Sequence, residues 1–419
     1  MDKEVNTAGK PAGKAPGHVV GMDAHSRKIS LCIAEWAPGS DPAVARELTD
    51  IPLAMMEDVY RKHVPKGAVT VLEASTNAFN IVKRLRAVGY GARVAYSDIL
   101  RGLSRKDKVN DRIDARKLAV AYARFGATRE MVFVPSDRFA GYRDLLFGYR
   151  ECVKETTRVS NRIWSFCSAH GMPLPKRKRD RKVECVKEAA EKLALDDLAK
   201  FHLDDLLSEY GHALRRRERY SRQIAGIVGR DETMRRLMQV PGISVITAFA
   251  LVAYVEDIHR FPTPAKLVAY IGLNPMVCAS GETGSPGVLS SYGQRILKTY
   301  FIEAGQALVR RRTAHGIGRW ARAKIAQGKP YLVMCAAAGR KAVIYAWHSM
   351  MGHPIPDRES ERMFRDKLMK LYRELGTKAR KTLGDKTSRE YAERVMKPLY
   401  AHLEGEGTKP PPQDPASVA

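Results

Sequence analysis

The sequence predicts an α/β sheet domain followed by an all-α remainder, and three observations predict it. Short β-branched runs alternate with helix-period segments over residues 18–136. Beyond residue 137 strand signals fade, and charged residues interleave with Leu, Val, Ile and Ala at helical spacing. Within the first region, four carboxylates stand at strand ends or on one helix face.

The elements follow in order. Residues 1–17 carry Lys, Gly and Pro without an apolar core, which predicts a disordered tail and no secretory signal. Val19-Val20-Gly21-Met22 is a first strand ending at Asp23, and Ile29 to Ala34 is a second. Val44 to Leu48 is a candidate third strand, and Met55 to His63 a helix. Val69 to Ala74 reads as a buried strand that carries Glu73 at its end, where a charge needs a partner. Ala78 to Val88 is helical, Gly89 to Gly91 a turn, and Arg93 to Tyr96 a strand. A helix then opens with Asp111 and Asp114, three residues apart and so on one face.

Over residues 137–235, Leu145, Val153, Val159, Ile163 and Trp164 recur at helical spacing. Pro173, Pro175 and the run Lys176-Arg177-Lys178-Arg179-Asp180-Arg181-Lys182 interrupt them. Two long helices joined by a basic loop are expected, a coiled-coil-like hairpin able to dimerise. In residues 236–350, Val240-Pro241-Gly242-Ile243 precedes an apolar helix, Val245 to Val255, that must be buried. The turn at Gly242 suits either amides facing a nucleic-acid phosphate or plain helix packing. A Gly- and Ser-rich loop, Ala279 to Gly287, and a helix from Gln294 to Arg310 follow. Residues 351–419 read as a charged helical extension ending in a Gly/Pro-rich disordered tail.

The chemistry follows from the carboxylates. Asp23, Glu73, Asp111 and Asp114, in the order strand, strand, helix, occur where a ribonuclease H-like fold would bring them together. Such a set can hold Mg²⁺, a hard ion that takes carboxylate oxygens and keeps water for substrate phosphate. Each acid alone is more often a turn or capping residue. The chain has 419 residues, with 72 Lys and Arg against 46 Asp and Glu, a formal net charge of +26. That excess implies a polyanionic partner, because phosphate contacts release counterions. Arg105, Lys106 and Lys108 just before the acidic helix, and Lys176, Arg177, Lys178 and Arg179, are candidate nucleic-acid contacts; solvated surface is their other reading. No apolar run is long enough to span a bilayer, so no membrane partner is expected. Six scattered cysteines with no CxxC pair point to a reducing cytoplasm and no zinc site.

These residues resemble the DEDD transposases of insertion-sequence family one-ten, bridge-RNA-guided DNA recombinases. Gly21-Met22-Asp23-Ala24-His25, Leu72-Glu73-Ala74-Ser75 and Asn110-Asp111-Arg112-Ile113-Asp114-Ala115 match their RuvC-like domain. Val240-Pro241-Gly242-Ile243, Phe261, Ala269 to Pro275, Ser280-Gly281, Gly293 and Leu297-Lys298 match their transposase domain. The resemblance implies that Asp23, Glu73, Asp111 and Asp114 bind Mg²⁺ and that Ser280 attacks the DNA backbone to form a covalent link. It further implies donor and target DNA and a structured guide (bridge) RNA as partners, in a homo-oligomer (dimer or tetramer) with composite active sites. A cytoplasmic protein acting at the nucleoid is expected. The chain departs from the family at Ser26, Gln294 and Lys298. Ser285, Ser290 and Ser291 are rivals to Ser280. Two other functions compete: a RuvC-like, structure-selective nuclease of the Holliday-junction resolvase type using water, and a non-catalytic nucleic-acid-binding protein.

Overall fold

The computed structural model describes residues 17–36, 42–96, 111–125, 131–173, 183–193, 195–278, 285–290, 292–311, 316–355 and 358–401. The chain divides into two compact units, Met1–Ser136 and Asp137–Ala419.

The first unit is built on a five-stranded sheet. Its strands are β1 (Gly17–Ala24), β2 (Lys28–Trp36), β3 (Ala43–Pro52), β4 (Val69–Glu73) and β5 (Gly91–Ala95), in the order β3-β2-β1-β4-β5. β2 runs antiparallel to both β1 and β3, whereas β1, β4 and β5 are mutually parallel. Helices α1 (Met56–His63) and α2 (Ala78–Ala87) accompany one face, and α3 (Asp111–Phe125) covers the other. Adjacent residues of β1 face opposite ways, as strand geometry requires. Val20 and Met22 enter the core with Tyr60, Ile81 and Leu85, while Val19 packs with Val71, Ala115, Leu118 and Ala119. Burial on both faces explains why these strands are nearly continuous apolar runs. The third strand is longer than Val44 to Leu48, because its residues near the edge pair with β2 through register shifts that tolerate polar side chains.

One glycine sets the spacing of α3 from the sheet. A Cβ on Gly21 would lie 1.9 Å from the Ala115 carbonyl oxygen and 2.7 Å from the Ala119 nitrogen. Only a residue without a side chain lets helix backbone approach strand backbone this closely.

The second unit is helical apart from one hairpin. Helix α4 (Asp137–Ala169) is followed by α5 (Val183–Leu193) and α6 (Asp197–Val228), and α4 packs along α6. The expected second long helix is therefore broken in two. Asp196 accepts a hydrogen bond from the Ala199 amide at 2.8 Å and starts a new helix, with Leu195 buried beside it. Val159, Ile163, Phe166, Val186, Leu203 and Leu206 form a small core at this end of the pair.

Leu146, Ile224 and Val228, at the other end, join the main core. That core draws on α7 (Glu232–Leu237), α8 (Val245–Val255), α9 (Pro264–Ile271) and α10 (Arg295–Arg310), and Leu289 of the hairpin formed by β6 (Pro275–Cys278) and β7 (Ser285–Leu289) packs against it. Helices α11 (Gly316–Ala326) and α12 (Tyr331–Met350) complete this stretch. Gly305 of α10 and Gly339 of α12 face one another's helix backbone, where added Cβ atoms would come within 1.9 Å and 2.3 Å of carbonyl oxygens. Beyond residue 350 lie α13 (Glu361–Glu374), α14 (Thr377–Leu383) and α15 (Ser388–Ala401). Phe364, Leu368, Leu371 and Tyr391 of this segment enter the same core as α8 and α10, so the segment is part of that core and not a surface appendage.

A partly buried ion pair ties two elements of the first unit. Arg84 of α2 donates Nε and Nη2 to the two Glu57 carboxylate oxygens of α1, each at 2.6 Å. This hydrogen bonding holds the Glu57 carboxyl below its ordinary range. Its stabilisation is complete above the unfolded value of about 4.3 and is lost as pH falls through the lower folded value. Replacing Glu57 by Gln should therefore cost roughly 1.5–3 kcal/mol at neutral pH, and this difference from the parent should shrink below pH 4 in denaturant titrations of the first unit.

Candidate functional site

The sequence-predicted acids are carried by two strands and a helix. Parallel β1 and β4 align Met22 with Leu72, so Asp23 and Glu73 occupy the next step on neighbouring strands. Val19 and Gly21 face α3 on β1, and Val71 does so on β4. By the two-residue period, Asp23 and Glu73 therefore lie on the α3 side as well. Asp114 immediately precedes Ala115, the residue in backbone contact with Gly21. Asp23 and Glu73 thus lie on the sheet face that α3 covers, and Asp114 is carried by α3 itself.

Two of the acids have a basic side chain nearby. The Asp23 carboxylate lies 3.3 Å from His25 Nε2, and Asp114 lies 3.5 Å from the Lys117 ammonium. Both carboxylates are partly withdrawn from solvent, with side chains 21 % and 27 % exposed. Among the described residues, no three His, Cys, Asp or Glu side chains are grouped closely enough to hold a metal ion. Asp111 opens α3, and its side chain lies outside the described residues. All four candidates are carboxylates, whose oxygens suit hard cations such as Mg²⁺.

A polar tie between the loops was not read from the sequence. The Asn77 side-chain amide donates to the His25 carbonyl at 2.8 Å, and the Ser75 hydroxyl donates to Asn77 Oδ1 at 2.9 Å. Asn77 stands at the N-cap of α2 yet makes no capping bond with its side chain. Instead it joins the loop after Asp23 to the loop after Glu73. An Asn just before a helix signals a cap, so its type was legible but its partner was not.

The second unit frames the segment that contains Ser280. Ser280 itself lies outside the described residues, as do Ser291, Arg105, Lys106, Lys108, Lys176, Arg177, Lys178 and Arg179. β6 and β7 pair antiparallel on either side of residues 279–284, so Ser285 to Gly287 belong to a strand rather than to the expected loop. The hairpin is anchored at its base. The Ser290 amide donates to the Asn274 carbonyl at 3.1 Å, and Lys298 Nζ donates to the Ser290 carbonyl at 2.7 Å. The Ser290 hydroxyl accepts the Tyr292 amide at 3.1 Å, which commits it to the turn. Gly272 and Gly293 pass in direct contact, both with positive φ, where any side chain would collide with backbone.

Gly242 adopts φ +84° in the turn before α8, against Leu308 and Ala304 of α10. Ser244 caps α8 by accepting the Thr247 amide at 3.2 Å. The apolar helix is buried along most of its length, as its composition requires.

The match to a family model falls within the second unit. Residues 234–321, from α7 to within α11, match the family model for the transposase IS116/IS110/IS902 family. The chain is 23 % identical over 286 residues to the transposase for insertion sequence element IS1328 of Yersinia enterocolitica, covering 67 % of this chain and 82 % of that protein. It is 25 % identical over 298 residues to a probable family 20 transposase of Pseudomonas aeruginosa, covering 70 % and 86 %. Against the transposase for insertion sequence element IS1111A of Coxiella burnetii, it is 26 % identical over 246 residues, covering 58 % and 67 %. The matches support kinship with insertion-sequence transposases. Within that class, they point to the IS110/IS116 family.

Replacing Asn77 with Ala should release both loops without unfolding the sheet, at a cost of roughly 1 kcal/mol. Hydrogen exchange should quicken at residues 25–28 and 74–77 and stay unchanged in β2 and β5; equal protection in both loops would show that the tie is not what orders them.

Proposed function

We propose that this chain is an insertion-sequence transposase that cuts and rejoins DNA through a Mg²⁺-dependent carboxylate site and a serine nucleophile. The observation that carries this reading is the placement of Asp23 and Glu73 at neighbouring parallel strand ends beneath the helix bearing Asp114, in a chain whose second unit matches a transposase family. The strand order β3-β2-β1-β4-β5, with β2 alone reversed, supports a ribonuclease H-like, RuvC-like identity for the first unit. Asp23, Glu73, Asp111 and Asp114 would hold the ion. Bound Mg²⁺ supplies charge stabilisation on phosphate oxygens and favours deprotonation of a hydroxyl nucleophile.

Ser280 is the proposed nucleophile. Its Oγ forms a bond to phosphorus as the bond from phosphorus to the leaving sugar oxygen breaks. The serine proton is lost to a base, and the leaving oxygen takes one up. Bond energy is kept in the phosphoserine link, so the strand can be joined to a new partner without an added energy source. The anchored base of the β6–β7 hairpin supports a role in presenting this segment. Donor and target DNA, and a structured guide RNA, are the proposed partners, drawn by the +26 formal charge. A homo-oligomer would let acids and serine combine between copies. No described helix is long and apolar enough to cross a membrane.

A binding protein without catalysis is the second reading. It is favoured by the spacing of the described carboxylates, of which no three are grouped for a metal.

One experiment separates these readings. The protein, Mg²⁺, candidate guide RNA and a nicked DNA carrying the element end are combined, and adducts are mapped by peptide mass. An adduct on Ser280 is expected. Asp23→Asn, Glu73→Gln, Asp111→Asn and Asp114→Asn should each cut strand cleavage by about 100-fold or more, comparable to other losses of charge stabilisation at a reacting centre, while binding survives. Normal cleavage in Ser280→Ala without any adduct would make water the nucleophile, and binding without cleavage under every condition would favour the second reading.

A further inference from the structure

The turn before α8 encloses a cation. Three of its main-chain carbonyl oxygens, those of Met238, Val240 and Ile243, converge on the Lys367 ammonium of α13 at 2.9, 3.4 and 2.8 Å. The Glu359 carboxylate completes the set at 2.8 Å. The two side chains are 17 % and 2 % exposed. Glu359 is held to the same turn by its own amide, which donates to the Gln239 carbonyl at 2.8 Å.

The geometry is unlike an ordinary lysine hydrogen-bond site. An ammonium has three N–H donors, yet four oxygens surround this one. Carbonyl dipoles aimed at a common point from a span of six residues repel one another unless a positive charge lies between them. The positive φ of Gly242 makes the reversal that aims them possible. Rings of carbonyl oxygens with one anionic ligand are the environment in which proteins replace the hydration shell of a monovalent cation. Burial also pulls the Lys367 pKa downward, while Glu359 acts to raise it. The pair is therefore not simply a source of stability, because two charges have been taken out of water. Its role is to specify one shape of the turn.

We propose that residues 238–243 and Glu359 form a monovalent-cation cage that this protein fills with its own tethered ammonium, and that Lys367 thereby positions the Gly242 turn. The tether comes from the segment beyond residue 350, whereas the turn lies inside the family-matched span. The charged C-terminal helices thus supply an ion to the core of the second unit. This inference stands independently of the proposed function, since it concerns a site read from coordination alone.

Removing the tether should expose the cage to solvent ions. The full-length Lys367→Ala variant retains Glu359 and the three carbonyls, with a void where the ammonium stood. Thermal unfolding is measured in potassium, ammonium and tetramethylammonium chloride at equal ionic strength. The parent should melt at the same temperature in all three. The variant should melt lower in tetramethylammonium, which is too large for the cage, and recover saturably with K⁺ or NH₄⁺. The added change Glu359→Gln should weaken that recovery about tenfold, as loss of one charged ligand would. In Lys367→Met, whose side chain fills the void, the melting temperature should not depend on the cation. If Lys367→Ala does not fold in tetramethylammonium, folding regained on transfer to KCl is the expected result. The proposal is overturned if Lys367→Ala matches the parent, if it is destabilised equally in all three salts, or if it folds in none of them.

Discussion

The first unit depends on the contact between Gly21 and the backbone of α3. Without a Cβ at residue 21, the Ala115 carbonyl sits directly on β1, and a side chain there would have to displace the whole helix. The placement of the candidate acids follows from that closeness. Asp23 is two residues along the same strand face, Asp114 is adjacent to the contacting residue, and Glu73 stands at the matching step of the parallel neighbour. A helix held a side chain's width further out would carry Asp114 away from the strand ends. The small residues Ala115 and Ala119 serve the same end from the helix side, and both are fully buried.

The second unit achieves close approach by the same means but with different consequences. Gly305 and Gly339 let α10 and α12 meet backbone to backbone, and Gly272 and Gly293 do so at the base of the β6–β7 hairpin. Two crossings of this kind lie on either end of α10, so the helix has little freedom to slide. Lys298, near the start of α10, holds the Ser290 carbonyl, while Leu308, near its end, supports Gly242. One helix therefore sets both the anchor of the hairpin and the turn before α8.

Legibility followed the range of the interactions. Strand-end acids were readable because burial on both sheet faces leaves apolar runs whose first charged residue marks the end of the strand. The buried α8 was readable from eleven residues without a charge. The break between α5 and α6 was written locally in Asp196 as a cap and went unread because the flanking periodicity continued across it. The hairpin at Ser285 to Leu289 was hidden by Gly, Ser and Pro, which signal a loop whether or not a partner strand exists. The tie from Asn77 to His25 spans 52 positions, and that from Lys367 to Met238 spans 129. No periodicity or local motif encodes such pairs. Each residue type was visible, and the partner depended on the completed fold.

The two units meet the same difficulty, polar groups in a desolvated place, with opposite chemistry. In the first, the Asp23 and Glu73 carboxylates stand at strand ends on a face otherwise lined by Val and Ala, with His25 beside Asp23 and Lys117 beside Asp114 on the covering helix. Under the proposed function, these carboxylates take a cation from solution. In the second, main-chain carbonyls of a turn present partial negative charge, and the counter-charge is covalently part of the chain at Lys367. An internal ammonium cannot exchange or polarise a bound phosphate as a free ion does, so it suits a role in fixing shape. Under the proposed function, carboxylates that take their cation from solution suit chemistry switched on by binding. The difference in who supplies the cation is the physical reason that reading places reactivity in the first unit's acids and positioning in the second unit's turn.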